Sequence, residues 1–263
     1  MKTLGILATA YAATVGLAIA FERHLMFPAP TEPVAPEARG GRLLRFPGAG
    51  GRTVHALYAP APPGAPTIVH FHGNGEMLSH LVDLSLALRA KGLGFFAPEY
   101  PGYGLSKAES VSEQAIYEDA EAALVHLRDV ERVAGGQIVL EGQSLGSGVA
   151  IEMAIRGHGA RLILISPYTS MPDMARRLLP LLPASLVVRD RFDNAAKAPR
   201  VTLPELVVHG KNDRLIPVSM GETLARLLPH AVLEVLPGAH HNDVWAASRS
   251  LPARIAEFAF ASP

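Results

Sequence analysis

A serine flanked by glycines, Gly142-Gln143-Ser144-Leu145-Gly146, is the group of residues in this chain best suited to do chemistry. It fits G-x-S-x-G, in which a nucleophile sits on a sharp strand-to-helix turn with its hydroxyl exposed. The residues two before and two after must be tiny because backbones crowd there, and Gly142 and Gly146 meet that need. A serine hydroxyl is a weak nucleophile at neutral pH. It needs a histidine base, which in turn needs an orienting carboxylate. For a serine on such a turn the acid comes next in the chain and the histidine last. "HGKNDRLIP" offers Asp213, and "GAHHND" offers His240 and His241. Asp190 and Asp193 precede the strand that should carry the acid, and Asp243 is too near the histidines to approach from their far side. The residues alone leave the choice between the two histidines open.

Three loops far apart in sequence must then meet at one end of a sheet. "QIVLEG" before Ser144 reads as a buried strand and "LGSGVAIEMAI" after it as a helix, the context the motif requires. Further strands are expected at Leu43–Phe46 and in "RTVHALYAP", "PTIVHFH", "LGFFAPEY", "RLILIS", "ELVVHG" and "AVLEVLPG". Helices are expected at Met77–Lys91, at Ser112–Val133 with Ser112 as its cap, and at Val244–Phe260. Strands alternating with helices imply an α/β fold with a mainly parallel, doubly wound sheet, whose sites gather at the C-terminal strand ends. Asp213 and the histidine pair both follow strands, at that end. The proline-rich stretch 167–204 is too long for an ordinary loop and is read as a small cap.

The tetrahedral intermediate of acyl transfer needs N–H donors for its oxyanion. One is expected from the backbone of Leu145, after the nucleophile. The other is expected from the loop "HGNGE", where Asn74 lies between Gly73 and Gly75. His70 and His72, two apart, raise the thought of a metal, but no third ligand is evident and the expectation is no metal and no cofactor. Tyr100 and Tyr103 are read as packing residues.

The pieces "FHGNGE", "PEYPGYGLS", "GQSLGSGVA", "SPYTSMPDMA", "RFDN", "HGKNDRLIP" and "GAHHND" together resemble the α/β-hydrolase superfamily, and within it the Bem46-type group with its ABHD-like serine hydrolases. The resemblance implies the α/β-hydrolase fold, His241 rather than His240 as the base, and Asn74 in the oxyanion hole. A serine at the turn also argues against the dehalogenase and epoxide-hydrolase members, which resemble an aspartate there. The activities implied are carboxylesterase, lysophospholipase-like, acyl-protein thioesterase or peptidase-like.

Composition narrows the remaining classes. With 49% apolar and 18% charged residues the chain is not disordered, and a net charge of zero without basic runs gives no sign of nucleic-acid binding. The absence of cysteine excludes thiol nucleophiles and zinc–thiolate sites. Leu4–Phe21 carries no charge and spans roughly 27 Å as a helix, close to a bilayer core. A single-pass membrane anchor at 1–24 is favoured. A cleaved signal ending near Ala18-x-Ala20, leaving a secreted or periplasmic domain, is the alternative, and a buried core helix the third reading. A linker at 25–42 then leads into a hydrolase domain at 43–263. The expected function is a serine hydrolase acting through Ser144, His241 and Asp213 on fatty-acyl esters or thioesters, of a small molecule, a lipid or an acylated protein. A non-catalytic scaffold, in which Ser144 is a bystander in a glycine-rich turn, is the competing class.

Overall fold

The computed structural model describes residues 2–30, 34–248 and 250–261. Residues 31–33 of the expected linker lie outside the described residues. In chain order the elements are α1 (Lys2–Met26), β1 (Arg42–Pro47), β2 (Thr53–Ala59), β3 (Thr67–Phe71), α2 (Val82–Arg89), β4 (Gly94–Pro98), α3 (Glu113–Asp129), β5 (Ile138–Gln143), α4 (Leu145–Ile155) and β6 (Arg161–Ile165). Then follow α5 (Met171–Leu178), α6 (Ala184–Val187), α7 (Asn194–Lys197), β7 (Glu205–Gly210), α8 (Val218–Leu227), β8 (Ala231–Leu236), α9 (Val244–Ala247) and α10 (Leu251–Phe260).

The eight strands form one sheet in the order β1-β2-β4-β3-β5-β6-β7-β8. β2 runs antiparallel to both its neighbours, and every other pair is parallel. The central strands are buried on both faces because each face carries its own apolar layer. Val69, Phe71 and Leu140 pack with α3 and α4, whereas Ile68 and Val139 pack with α2 and α10. This alternation at period two is what the near-continuous apolar strands encode. The expected α/β-hydrolase architecture is therefore present.

Local signals place most boundaries. Ser112 caps α3, its hydroxyl accepting from the Ala115 N–H at 3.1 Å. The cap stretch is broken into the short α5, α6 and α7, as its prolines require. Two expected helices differ. The one expected at 77–91 begins as a 3-10 turn, Leu78–Leu81, before α2. The closing helix is two pieces, α9 and α10. Pro252 lies in the first turn of α10, where a missing N–H costs nothing; a helix continued through it would lack the bond to the Ser248 carbonyl and crowd it, and Ser248 is extended.

Candidate active site

Ser144 stands between β5 and α4 at φ 51°, ψ −117°, a backbone region that an L-residue enters only under strain. The strain is held by neighbours. The Ser144 N–H donates to the Ile165 carbonyl at 2.9 Å, and its own carbonyl accepts from the Ser147 N–H at 3.0 Å and the Ser147 hydroxyl at 2.6 Å. The two glycines leave no room for a side chain. A Cβ on Gly142 would collide with the Gly146 carbonyl, and one on Gly146 with the Phe71 carbonyl of β3.

Asp213 follows β7 and His241 follows β8, and the sheet brings both to Ser144. His241 Nδ1 lies 2.7 Å from Asp213 Oδ2, and His241 Nε2 lies 3.1 Å from Ser144 Oγ. The other Asp213 oxygen accepts the N–H groups of Leu215 at 2.9 Å and Ile216 at 2.8 Å. Burial alone would raise the Asp213 pKa. Hydrogen bonds from His209 and His241, the charge of His241 and the Ile216 N–H outweigh burial and hold the carboxyl well below the usual carboxylate range. His209 Nε2 sits 3.5 Å from Asp213 Oδ2 while bonded to the Ile216 carbonyl at 2.9 Å. His240 is exposed and turned away, its N–H bonded to Asp243 Oδ1 at 2.5 Å. The other acids near these elements are engaged elsewhere. Asp190 accepts from the Glu113 N–H and Arg23, and Asp193 caps α7.

Ser144, Leu145 and Asn74 line a cavity of about 240 Å³, with walls from α5, α6 and the end of α1; apart from Glu22 and Tyr168 the rest of its lining is apolar. Leu215 lies between this cavity and a second, open cleft lined by Arg214, His240, His241, Asn242 and Asp243.

A family model described as serine aminopeptidase, S33, matches residues 63–192. An uncharacterized Mycobacterium tuberculosis protein, Rv2307c, is 32% identical over 73% of this chain and 69% of its own length. The Caenorhabditis elegans alpha/beta hydrolase domain-containing protein aho-3 is 34% identical over 73% of this chain and 57% of its own. The chain belongs to the α/β-hydrolase superfamily. Solved structures of similar fold include the Pyrococcus furiosus esterase Pf2001, with TM-score 0.70 and 16% identity over 88% of this chain and 97% of that one. A membrane phospholipase A has TM-score 0.62 and 18% identity over 98% of this chain and 92% of that one. Membership of the superfamily supports hydrolase chemistry.

In this α/β-hydrolase the loop after β3 approaches the nucleophile closely. A Cβ on Gly73 would lie 3.7 Å from the Ser144 Cβ. The Gly73 N–H is held by Glu76 Oε2 at 2.6 Å. Asn74 is clamped on both sides, its amide oxygen accepting from the Tyr103 hydroxyl at 2.5 Å and its NH₂ donating to the Met26 carbonyl at 2.6 Å. Leu145 opens α4, where backbone N–H groups have no partner within the helix. His72 lies beneath the loop, Nδ1 donating to the Gly73 carbonyl at 2.9 Å. Burial pushes its pKa down to about 4, so the ring is neutral. His70 goes a different way, to the buried Glu141 at 2.6 Å. Burial would lower the His70 pKa, and the Glu141 carboxylate outweighs it and raises it.

Some contributors are not legible in sequence. Tyr103 reads as packing, and its ring is buried, but its hydroxyl also fixes Asn74. Glu76, three residues from Gly73, carries a readable hint as an acid in a glycine loop. The wall from α1 carries none, because its apolar residues equally suit lipid.

Proposed function

We propose that this chain is a serine hydrolase that cleaves fatty-acyl esters or thioesters through an acyl-enzyme intermediate. The observation that carries the reading is the Asp213–His241–Ser144 hydrogen-bond chain ending in an apolar cavity. With Asp213 ionised, His241 keeps its proton on Nδ1 and presents Nε2 as acceptor to the Ser144 hydroxyl. Ser144 Oγ attacks the acyl carbonyl as His241 takes its proton. The oxyanion is received by the N–H groups of Leu145 and Asn74. His241 protonates the leaving group, which departs toward the open cleft beside His240 and Asp243. Water then enters along the same line, and His241 repeats its part in reverse to release the acid. The acyl chain rests in the apolar cavity, where each buried methylene is worth about 0.8 kcal/mol.

The membrane association of the reading rests on α1, a helix long and apolar enough to cross a bilayer. Retention of α1 as an anchor is proposed over its removal as a signal. The test is turnover of p-nitrophenyl esters from acetate to palmitate, together with labelling by a fluorophosphonate probe. Ser144→Ala is expected to abolish both. A folded protein that neither turns over any ester nor takes the label is the scaffold instead, and turnover confined to aminoacyl amides makes it a peptidase.

A further inference from the structure

An anchor that merely tethers a domain touches it little, and α1 does not behave that way. Its last two turns are bonded into the hydrolase domain at several points. Glu22 is buried although it follows an apolar run, and its Oε1 accepts the N–H groups of Arg189 at 3.0 Å and Asp190 at 3.4 Å. Arg189 returns a bond to the Ile19 carbonyl at 3.0 Å, and Arg23 pairs with Asp190 at 3.2 Å. Further up the helix, Tyr11 reaches the Leu181 carbonyl at 2.9 Å. The Met26 carbonyl holds Asn74, and Phe27 packs edge-on against Phe192 in the core. A carboxylate this close to a lipid-type segment is costly unless its partners are fixed, and here backbone N–H groups of the cap fix Oε1, while Oε2 is buried at the cavity wall without a hydrogen-bond partner among the described residues.

The face of α1 held in this way is a wall of the cavity. Ala18, Glu22, Leu25 and Met26 line it together with Leu178, Leu179 and Leu182 of the cap, with Ser144 in the same cavity. Ala18 is 8% exposed, while its neighbour Leu17 on the outer face is 60% exposed. Leu25, Leu178 and Leu179 are both cavity-lining and exposed, so they form its rim, next to the exposed Leu181 and Leu186.

We propose that the C-terminal part of α1 is one wall of the acyl-binding cavity, so that α1 stays on the active protein and sets how long an acyl chain Ser144 accepts. The chain is taken in between α1 and the cap, through a leucine rim that continues the apolar surface of α1. The proposal rests on the acyl-ester reading for the nature of the ligand, but the wall itself has a readout that needs no turnover.

The experiment uses the full chain in detergent micelles. The ratio of kcat/KM for p-nitrophenyl palmitate to that for p-nitrophenyl butyrate is measured for wild type, Ala18→Val, Ala18→Trp and Leu17→Trp. Binding of cis-parinaric acid, a fluorescent long-chain fatty acid, is measured with each change in a Ser144→Ala background. A side chain grown from Ala18 into the cavity displaces several methylenes, so Ala18→Trp is expected to lower the ratio and the binding about tenfold or more, with Ala18→Val between it and wild type. Leu17→Trp, on the outer face, should leave both unchanged. Long-chain turnover and binding that are the same in Ala18→Val, Ala18→Trp and wild type would overturn the wall while leaving the esterase reading in place. Parinaric acid bound by wild type and lost in Ala18→Trp, with no ester turned over, would keep the wall and overturn the esterase. A wild type that neither binds the probe nor turns over long esters overturns both.

Discussion

Replacing Asp213 by Asn is the sharpest test of the proposed triad, because the surroundings of this side chain dictate which way the amide must sit. Oδ1 of Asp213 accepts two backbone N–H groups, from Leu215 and Ile216. Turning an NH₂ group toward them would set donors against donors. The new amide is therefore forced to keep its oxygen there and to point its NH₂ at His241. The imidazole must then accept on Nδ1 and carry its proton on Nε2, facing the Ser144 hydroxyl 3.1 Å away. A base in that tautomer cannot take the serine proton. The loss expected is about 10⁴-fold in kcat, the size of effect seen when a triad carboxylate becomes an amide, equivalent to about 5.5 kcal/mol of transition-state stabilisation. The fold should survive, since the two backbone bonds are retained. A second consequence follows from linkage. The Asp213 pKa lies below its ordinary value, so the carboxylate stabilises the fold at pH above about 4, and that contribution fades as pH falls further. Asp213→Asn should therefore lose part of the acid-side dependence of stability. The assay is ester turnover by the purified variant, with circular dichroism as the check on folding. Turnover within about tenfold of wild type in a folded variant would refute the orienting role of Asp213.

The remaining predictions concern the base, the turn and a buried acid. His241→Ala should cost orders of magnitude in ester turnover, whereas His240→Ala, at an exposed position, should cost little; the reverse result would move the base by one residue. Gly146→Ala drives a Cβ into the Phe71 carbonyl, backbone that cannot swing aside, so urea unfolding should show a loss of about 3 kcal/mol or more. Unchanged stability there would mean that the turn has slack the geometry denies. Burial pushes the Glu99 pKa from 4.5 up to about 7. Between those values the folded state holds a proton that the unfolded state has released, so stability falls as pH rises through this window, by an amount on the order of 3 kcal/mol. Glu99→Gln should flatten that slope in Tm measured against pH, and an unaltered slope would assign it to other groups, such as Glu205, whose carboxyl is also pushed up to about 7 by burial.

Much of this was legible because the relevant signals are local. Val69, Leu140 and their neighbours encode a two-faced sheet by alternation alone, and Gly142 and Gly146 encode the crowded turn by having no side chain. The order of Ser144, Asp213 and His241 along the chain, each after its own strand, was enough to bring them to one end of the sheet. What separates His241 from His240 is not composition or spacing, and in the sequence only the family resemblance selects between them. In the fold His241 reaches Asp213 and Ser144 across the sheet end, while the His240 N–H is held by Asp243 in the same loop. The break in the closing helix was written in Pro252 but masked by apolar spacing that runs through it.

The least legible part is the one that bears most on substrate. An apolar helix carries the same composition whether lipid or protein covers it, so Leu4–Phe21 could not reveal that Ala18 faces a cavity and Leu17 faces outward. The informative residue was Glu22. A carboxylate at the end of an apolar run reads in sequence as the place where a membrane segment stops. In the fold it is buried, and it accepts backbone N–H groups from the cap 167 and 168 residues away. Those bonds fix which face of α1 turns toward Ser144, and so convert a segment with no sequence-specific role into a surface of defined shape. Because the Met26 carbonyl also holds Asn74, the same helix end touches both the cavity that would receive the acyl chain and the loop that would receive the oxyanion. In the proposed reaction, binding of the chain and stabilisation of the charge would be linked through this one helix end, which is how binding energy far from the reacting carbonyl can be expressed in the transition state.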